Sequence, residues 1–427
     1  MSDKTDKLAI NGGNPITSEP FPMWPQFSDK VFDHVLEPLK TGLVNYWTGT
    51  KGMEFEEKFA KYNGVKYAVT TTNGTAALHT ALNGFGVGPG DEVIVTSYSF
   101  IASSMCVVQA GAIPVFADVR KEDHTIDPFD IEAKITERTV GIIPVHLYGI
   151  IVDLDPILEI AKKHGLFVLE DVAQAPGGEY KGKKAGTVGN AGAFSFCQSK
   201  HFTTAGEGGA VITDDEEVAW ICRSFRDHGY DVKERLRLLE LEQKLPYIHE
   251  RIGFNYRMTE IQSIVGIYEL ERLDSYHLKR RRENGEYLLE KLSGHPLIQY
   301  LPPHSEDRKN AFWWFPIVVD LESIRVGLRE FIEALKAEGI PVMPVQWPQA
   351  YKEKAYSEHI GFGKYNFPFE SKEYTNPKSV DYKNWICPNA KWLEERTLAF
   401  PVHPVYELKH MDYFIEALNK VYEAYKS

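Results

Sequence analysis

The sequence predicts an α/β protein built on a mostly parallel sheet of about seven strands, with a smaller α+β domain behind it. Three observations predict it. From residue 67 onward, short runs of β-branched and apolar residues alternate with longer helical patterns, the order in which crossover helices join parallel strands. After residue 295 this alternation stops and strand-like and helical stretches follow one another irregularly. The length, 427 residues, exceeds what one compact core organises. The expected division is an N-terminal arm with a large domain over 1–275 and a small domain over 276–427.

The arm opens with a turn at Asn11-Gly12-Gly13-Asn14-Pro15, and Pro20, Pro22 and Pro25 keep the next stretch extended. Helical patterns follow at 30–41 and 53–62, separated by a break between Gly49 and Gly52. Strand-like runs lie at 67–71, 92–96, 113–116, 140–145 and 166–169. Helices are expected from 75, from about 101, and at 128–135 and 154–164. Two further runs, 193–196 and 209–213, lie too close together for a crossover helix at each step and read as extra strands of the same sheet. Leucines alternate with charges over 235–244, as on a solvated helix, and a long helix is expected over 259–290 with a break at Gly285. In the small domain, 312–319 and 341–345 read as strands, and 328–338 and 411–425 as helices. The stretch 351–383, rich in Tyr, Lys, Phe and Gly, is weakly periodic and reads as a long surface loop.

Composition narrows the function. The hydrophobic fraction of 43% and charged fraction of 25% are those of a globular chain. The net charge of −12 argues against a nonspecific nucleic-acid binder, which needs a basic face. The four cysteines stand far apart with no CxxC pair, which fits a reduced, cytoplasmic chain without a disulfide frame or a metal site. The polar start and the lack of a long apolar run point away from a signal peptide or a membrane span.

In open α/β sheets ligands sit at the carboxyl ends of the strands, so the residues just after each strand carry the search. After the first strand, Asn73-Gly74-Thr75-Ala76 puts small residues at a helix start, where backbone N–H groups and the helix dipole favour an anion. A plain capped helix fits the same residues. After the fifth strand stands Asp171, either a helix cap or a carboxylate facing a cationic partner. The sixth strand leads through Ser195 to Lys200 and then to Gly206-Glu207-Gly208-Gly209. Lys200 is either a surface charge or a buried amine held for Schiff-base chemistry. Taken together, a phosphate cup, a carboxylate able to face a pyridinium and an amine are what pyridoxal 5'-phosphate (PLP) requires.

The order of these motifs, with Pro144-Val145-His146-Leu147-Tyr148-Gly149, Glu170-Asp171-Val172-Ala173-Gln174-Ala175 and Asn255-Tyr256-Arg257-Met258-Thr259-Glu260, resembles the DegT/StrS-type sugar and aminocyclitol aminotransferases, PLP enzymes of fold type I. The resemblance implies a ping-pong transfer of an amino group from glutamate or glutamine to a keto-sugar or keto-cyclitol. It implies that Lys200 is the Schiff-base lysine and that Asp171 pairs with the pyridine nitrogen. Gln174 is expected near the phenolic oxygen, Phe100 stacked on the ring, and Gly74, Thr75, Ala76 and Ser195 around the phosphate. Asn255 is expected to reach the phosphate of a partner subunit's cofactor, so the active unit is a homodimer with shared sites. Arg226, Arg257 and His228 are candidates for the donor carboxylate, and His146 and Tyr148 for the pocket floor, each against a plain structural role. Trp313, Trp314 and Trp347 read as core and interface rather than a sugar platform, and Arg280-Arg281-Arg282 as a solvated helix face. Residue 174 departs from the His of many relatives. The alternatives are a PLP sugar dehydratase, whose members replace the lysine by histidine, and a non-catalytic regulator on the same fold.

Overall fold

The computed structural model describes residues 2–240, 249–345, 347, 349–374 and 378–427. Seven strands form the main sheet: β1 (Tyr67–Thr71), β2 (Glu92–Thr96), β3 (Ile113–Ala117), β4 (Thr139–Ile143), β5 (Phe167–Asp171), β6 (Ala191–Ser195) and β7 (Gly209–Thr213). Their order is β1-β7-β6-β5-β4-β2-β3, and β7 alone runs antiparallel to its neighbours. The strands are apolar on both faces because helices cover both sides, as parallel sheets require. The short β6–β7 connection permits an antiparallel return but no crossover helix, and it is this connection that carries Lys200.

Four antiparallel strands follow in the C-terminal part: β8 (Ile298–Tyr300), β9 (Trp314–Val319), β10 (Met343–Pro344) and β11 (Thr397–Pro401), in the order β8-β9-β11-β10. They pack with helices Leu328–Ala337 and Leu408–Tyr425 around a separate core that also takes in Leu8 from the N-terminal arm.

Some expected elements change. The helix expected over 30–41 is two helices, Asp29–His34 and Glu37–Thr41, because Pro38 cannot continue the hydrogen-bond ladder of the first. The long helix runs through Glu260–Glu271, a wide π-turn at Leu273–Leu278 and Lys279–Leu292. Gly285 does not break it. A Cβ there would lie 2.6 Å from the Phe312 ring, so the glycine admits that ring against the helix. The expected helix at 235–244 is seen as Val232–Glu240, and the remainder lies outside the described residues.

The largest difference is at 351–383. It is not a surface loop: short helical turns at Ala350–Lys352, Lys354–Ser357 and Gly363–Tyr365 bring Tyr351, Tyr356, Phe369, Tyr374 and Tyr382 into the core. Tyr356 and Tyr382 meet the Phe116 ring of β3 edge-on, at 5.2 and 5.5 Å. Tyr351, Tyr356, Tyr374 and Tyr382 are buried by several short turns rather than one helix face, so no single period shows in the sequence.

Candidate active site

A cavity of about 560 Å³ opens at the carboxyl edge of the main sheet. Residues after four different strands line it: Asn73, Gly74, Thr75 and Ala76 after β1, Ser99 and Phe100 after β2, Asp171 and Gln174 at and after β5, and Ser195 and Lys200 at and after β6. Residues more than a hundred positions apart thus converge because their strands are neighbours.

At one end, the helix Gly74–Gly84 begins with the Asn73 side chain accepting the Ala76 N–H at 2.8 Å. That cap orients the first turn, whose dipole favours an anion. A Cβ at Gly74 would lie 2.7 Å from the Ser195 Cβ, so only glycine lets the β6 end and this helix start come together as a cradle.

At the other end, Asp171 is buried at 4% exposure. Its carboxylate accepts from the Ser103 hydroxyl at 2.8 Å and the Ala173 N–H at 3.0 Å, both neutral donors. Burial raises its pKa above the usual carboxylate value. Such a group, open to a cavity, is stabilised by a cation brought to it. Burial also pushes the Lys200 amine down to about 8, against the opposing pull of Asp171. The amine lies over the face of Trp313, 3.9 Å from the ring centroid. Between these ends, Gln174 accepts the Tyr148 backbone N–H through Oε1 at 2.6 Å, which leaves its amide N–H₂ to donate into the cavity.

Residues 26–373 match the model of the DegT/DnrJ/EryC1/StrS aminotransferase family. The chain belongs to that family. It is 40% identical over 327 residues to GDP-perosamine synthase of Caulobacter vibrioides, covering 76% of this chain and 83% of that protein. It is 35% identical over 357 residues to L-glutamine:2-deoxy-scyllo-inosose aminotransferase of Streptomyces kanamyceticus, covering 82% of each. The X-ray structure of an aminotransferase from Psychrobacter cryohalolentis matches with a TM-score of 0.83 at 34% identity, over 95% of this chain and 99% of that one.

In this aminotransferase-family chain, several expected site residues stand away from the cavity. His146 is fully buried; its Nε2 meets Glu170 at 3.0 Å and its Nδ1 accepts the Val152 N–H at 3.1 Å. Tyr148 is buried, with its hydroxyl 2.7 Å from that of Tyr98. Neither side chain lines the cavity floor. Because both are satisfied by buried neighbours, their motif supports the site through the Tyr148 backbone instead. Arg226 lies in a buried ion pair with Glu56 rather than at a ligand.

Arg257 also stands outside this chain's cavity. Its guanidinium bonds Asp227 and approaches His228 Nδ1 at 3.1 Å. Asp227, itself fully buried, is also bound by the Trp47 indole at 2.6 Å and by Arg235 at 3.1 Å. Asn255 is exposed on the same strip, bridged to Asp227 through the backbone. The Arg280–Arg282 run is not a solvated face: Arg281 is fully buried and donates to the carbonyls of Phe312, Trp313 and Val402.

Ser103 lines the cavity without having been singled out in the sequence; Tyr256 and Glu207 line it from motifs in which no role was assigned to them, and Trp313 and Trp347, expected in core and interface, form part of its wall. The Ser99 hydroxyl, in the turn before helix Ala102–Gln109, meets that of Ser103 in its first turn at 2.9 Å. Nothing in the local sequence brings Trp313 there, since it arrives from the segment before β9.

Proposed function

We propose that this chain is a PLP-dependent aminotransferase that moves an amino group from glutamate or glutamine to a keto-sugar or keto-cyclitol. The observation that carries it is the placing of Lys200 and Asp171 in one cavity with the start of helix Gly74–Gly84. The family is PLP-dependent. The residues fit the cofactor: the helix start and Ser195 would take its phosphate, Asp171 its ring nitrogen and the Gln174 amide its phenolic oxygen. Phe100, 47% exposed beside the cavity, offers a face to its ring.

When bound, PLP supplies the electron sink that lets a proton leave the carbon bearing the amino group. Asp171 would hold the proton on the ring nitrogen. Lys200 Nζ would anchor the cofactor and, once the donor's amino group has displaced it, would take up the proton from the donor carbon and deliver it to the cofactor carbon on the far side of the shared nitrogen. An amine held near 8 exchanges protons at neutral pH more readily than a free lysine.

Among the described residues, Lys200 is the only Lys or Arg in the cavity lining. Among those residues a donor carboxylate meets no arginine of its own chain. Asn255 and Arg257 lie on a strip where Ile252 and Phe254 are 83% and 42% exposed. We infer a homodimer in which this strip completes the partner's cavity, and a cytoplasmic enzyme. Two chromatographically separable versions of the chain, Lys200→Ala and Asn255→Ala, mixed as subunits, test the sharing: a hybrid that retains one intact site is active, whereas a protein that stays monomeric removes the dimer. For the reaction itself, protein loaded with pyridoxamine phosphate is mixed with a panel of ketoses, nucleotide-linked keto-sugars and inososes, and return of the visible band is followed. A colourless protein that cannot be reconstituted with PLP overturns the reading. Release of ammonia with loss of a sugar hydroxyl assigns a dehydratase instead.

A further inference from the structure

Ser199, Lys200 and His201 are consecutive residues of the β6–β7 connection, and each is tied to a segment distant in sequence. The Trp313 indole N–H donates to the Ser199 carbonyl at 2.6 Å. The Trp24 indole N–H donates to the Lys200 carbonyl at 3.0 Å. The His201 ring meets the Ala311 carbonyl through Nε2 at 2.9 Å. The connection secures its own base, through Gln198 N–H to the Gly206 carbonyl at 2.8 Å and Thr204 N–H to the Phe196 carbonyl at 3.2 Å. Its tip, which bears the amine, takes these fixed points from outside.

The anchoring segments are themselves secured. Ala311 and Trp313 N–H groups donate to the Gly149 and Tyr148 carbonyls, each at 2.9 Å. A Cβ at Gly149 would lie 2.7 Å from the backbone nitrogens of Phe312 and Trp313, so glycine is needed for this approach. This explains the conspicuous end of the His146–Gly149 motif, which lies outside the cavity. Trp24 stacks on His403 at 6.0 Å and meets His277 edge-on at 5.4 Å. Just upstream of it, Phe21 packs against Phe400 and Tyr406. Both indoles are thus delivered by segments tied to the C-terminal core.

We propose that Trp24 and Trp313 are positioning residues: their indole N–H groups clamp the backbone at Ser199 and Lys200 and so aim the Lys200 amine into the cavity, where the Trp313 ring is its seat. The proposal rests on Lys200 being the reactive amine. The ring face favours the protonated amine, against burial. Asp171, Cys197 and Glu207 also face that amine, and His201 lies beside it on the connection.

The variants Trp24→Phe and Trp313→Phe keep a ring and delete the N–H. In the PLP-loaded full chain, hydrogen–deuterium exchange of peptides covering 197–204 is expected to rise about five- to tenfold in each, with β1 and β5 peptides unchanged. The turnover number falls about as much while the donor KM stays within about twofold. Trp313→Leu also removes the seat, and the pH midpoint of PLP uptake by the cofactor-free chain then falls by about half a pH unit relative to Trp313→Phe. Unchanged exchange over 197–204 in both Phe variants overturns the clamp, as does an equal rise across the whole chain. An unshifted midpoint in Trp313→Leu overturns the seat. If one Phe variant does not fold, the other decides, because the two bonds hold adjacent carbonyls. If the wild-type protein takes up no PLP, the functional reading falls, and the exchange comparison on the cofactor-free chain still decides the clamp.

Discussion

Glu56 with Arg226, and Asp171 with Lys200, are opposite charges buried beside the main sheet, and the two pairs are built differently. Glu56 and Arg226 are in direct contact, and the Glu56 carboxylate also accepts from the Tyr46 hydroxyl, the Thr70 N–H and the Thr70 hydroxyl, each at 2.9 Å. Burial by itself raises the Glu56 pKa, but Arg226 brings it below the ordinary value. Asp171 and Lys200 share a cavity, yet Asp171 accepts only from neutral donors and the Lys200 amine rests on an indole face. In that pair burial dominates both groups, raising the acid and lowering the amine. A buried charge that meets its counter-charge serves the fold. One held short of it, facing a cavity, is left for a ligand to complete.

That contrast breaks or stands on four measurements. Lys200→Ala is expected to lower transamination by more than about 10³-fold and abolish the visible band. Its urea midpoint is expected to hold or rise, because a desolvated amine contributes no stabilising pair. A large loss of stability would place this pair with the structural one. Glu56→Ala is expected to do the reverse, costing about 3–5 kcal/mol in denaturant unfolding by leaving Arg226 buried and unpaired. Turnover per folded molecule then changes by less than about threefold. Ser103→Ala removes one donor from Asp171 and raises its pKa further, lowering turnover by about five- to tenfold with little change in KM.

The smallest effect is in pH. The Lys200 amine is lowered from 10.5 to about 8, so between those values the unfolded chain holds a proton that the folded chain has released. Its contribution to stability therefore rises with pH across that window. Uptake of PLP by the cofactor-free protein is expected to quicken as pH rises through about 8, because the neutral amine is the nucleophile. Stopped-flow uptake that quickens only near 10.5 would show an amine exposed like any surface lysine.

The sheet and its ligand edge were legible in the sequence because strand alternation and turn residues are local signals. Lys200, Asp171 and the Gly74 helix start could be singled out because each follows an apolar run. The residues misread have a common cause. Arg281 and His146 are polar by composition, and only the surrounding fold buries them. Tyr351, Tyr356 and Tyr382 belong to several short turns, so no single face repeats. Trp313 reaches the cavity because the segment before β9 docks on Gly149, a contact with no local signature.

Strand periodicity and the residues ending each strand are local signals, so chain order alone carries the α/β class, the ligand edge of the sheet and the candidacy of an amine and a carboxylate at that edge. The tertiary structure decided which charges are spent inside the fold and which remain open. It also decided that two tryptophans from distant segments hold the lysine loop. Burial and hydrogen-bond saturation are properties of neighbours in space, and chain order does not carry them.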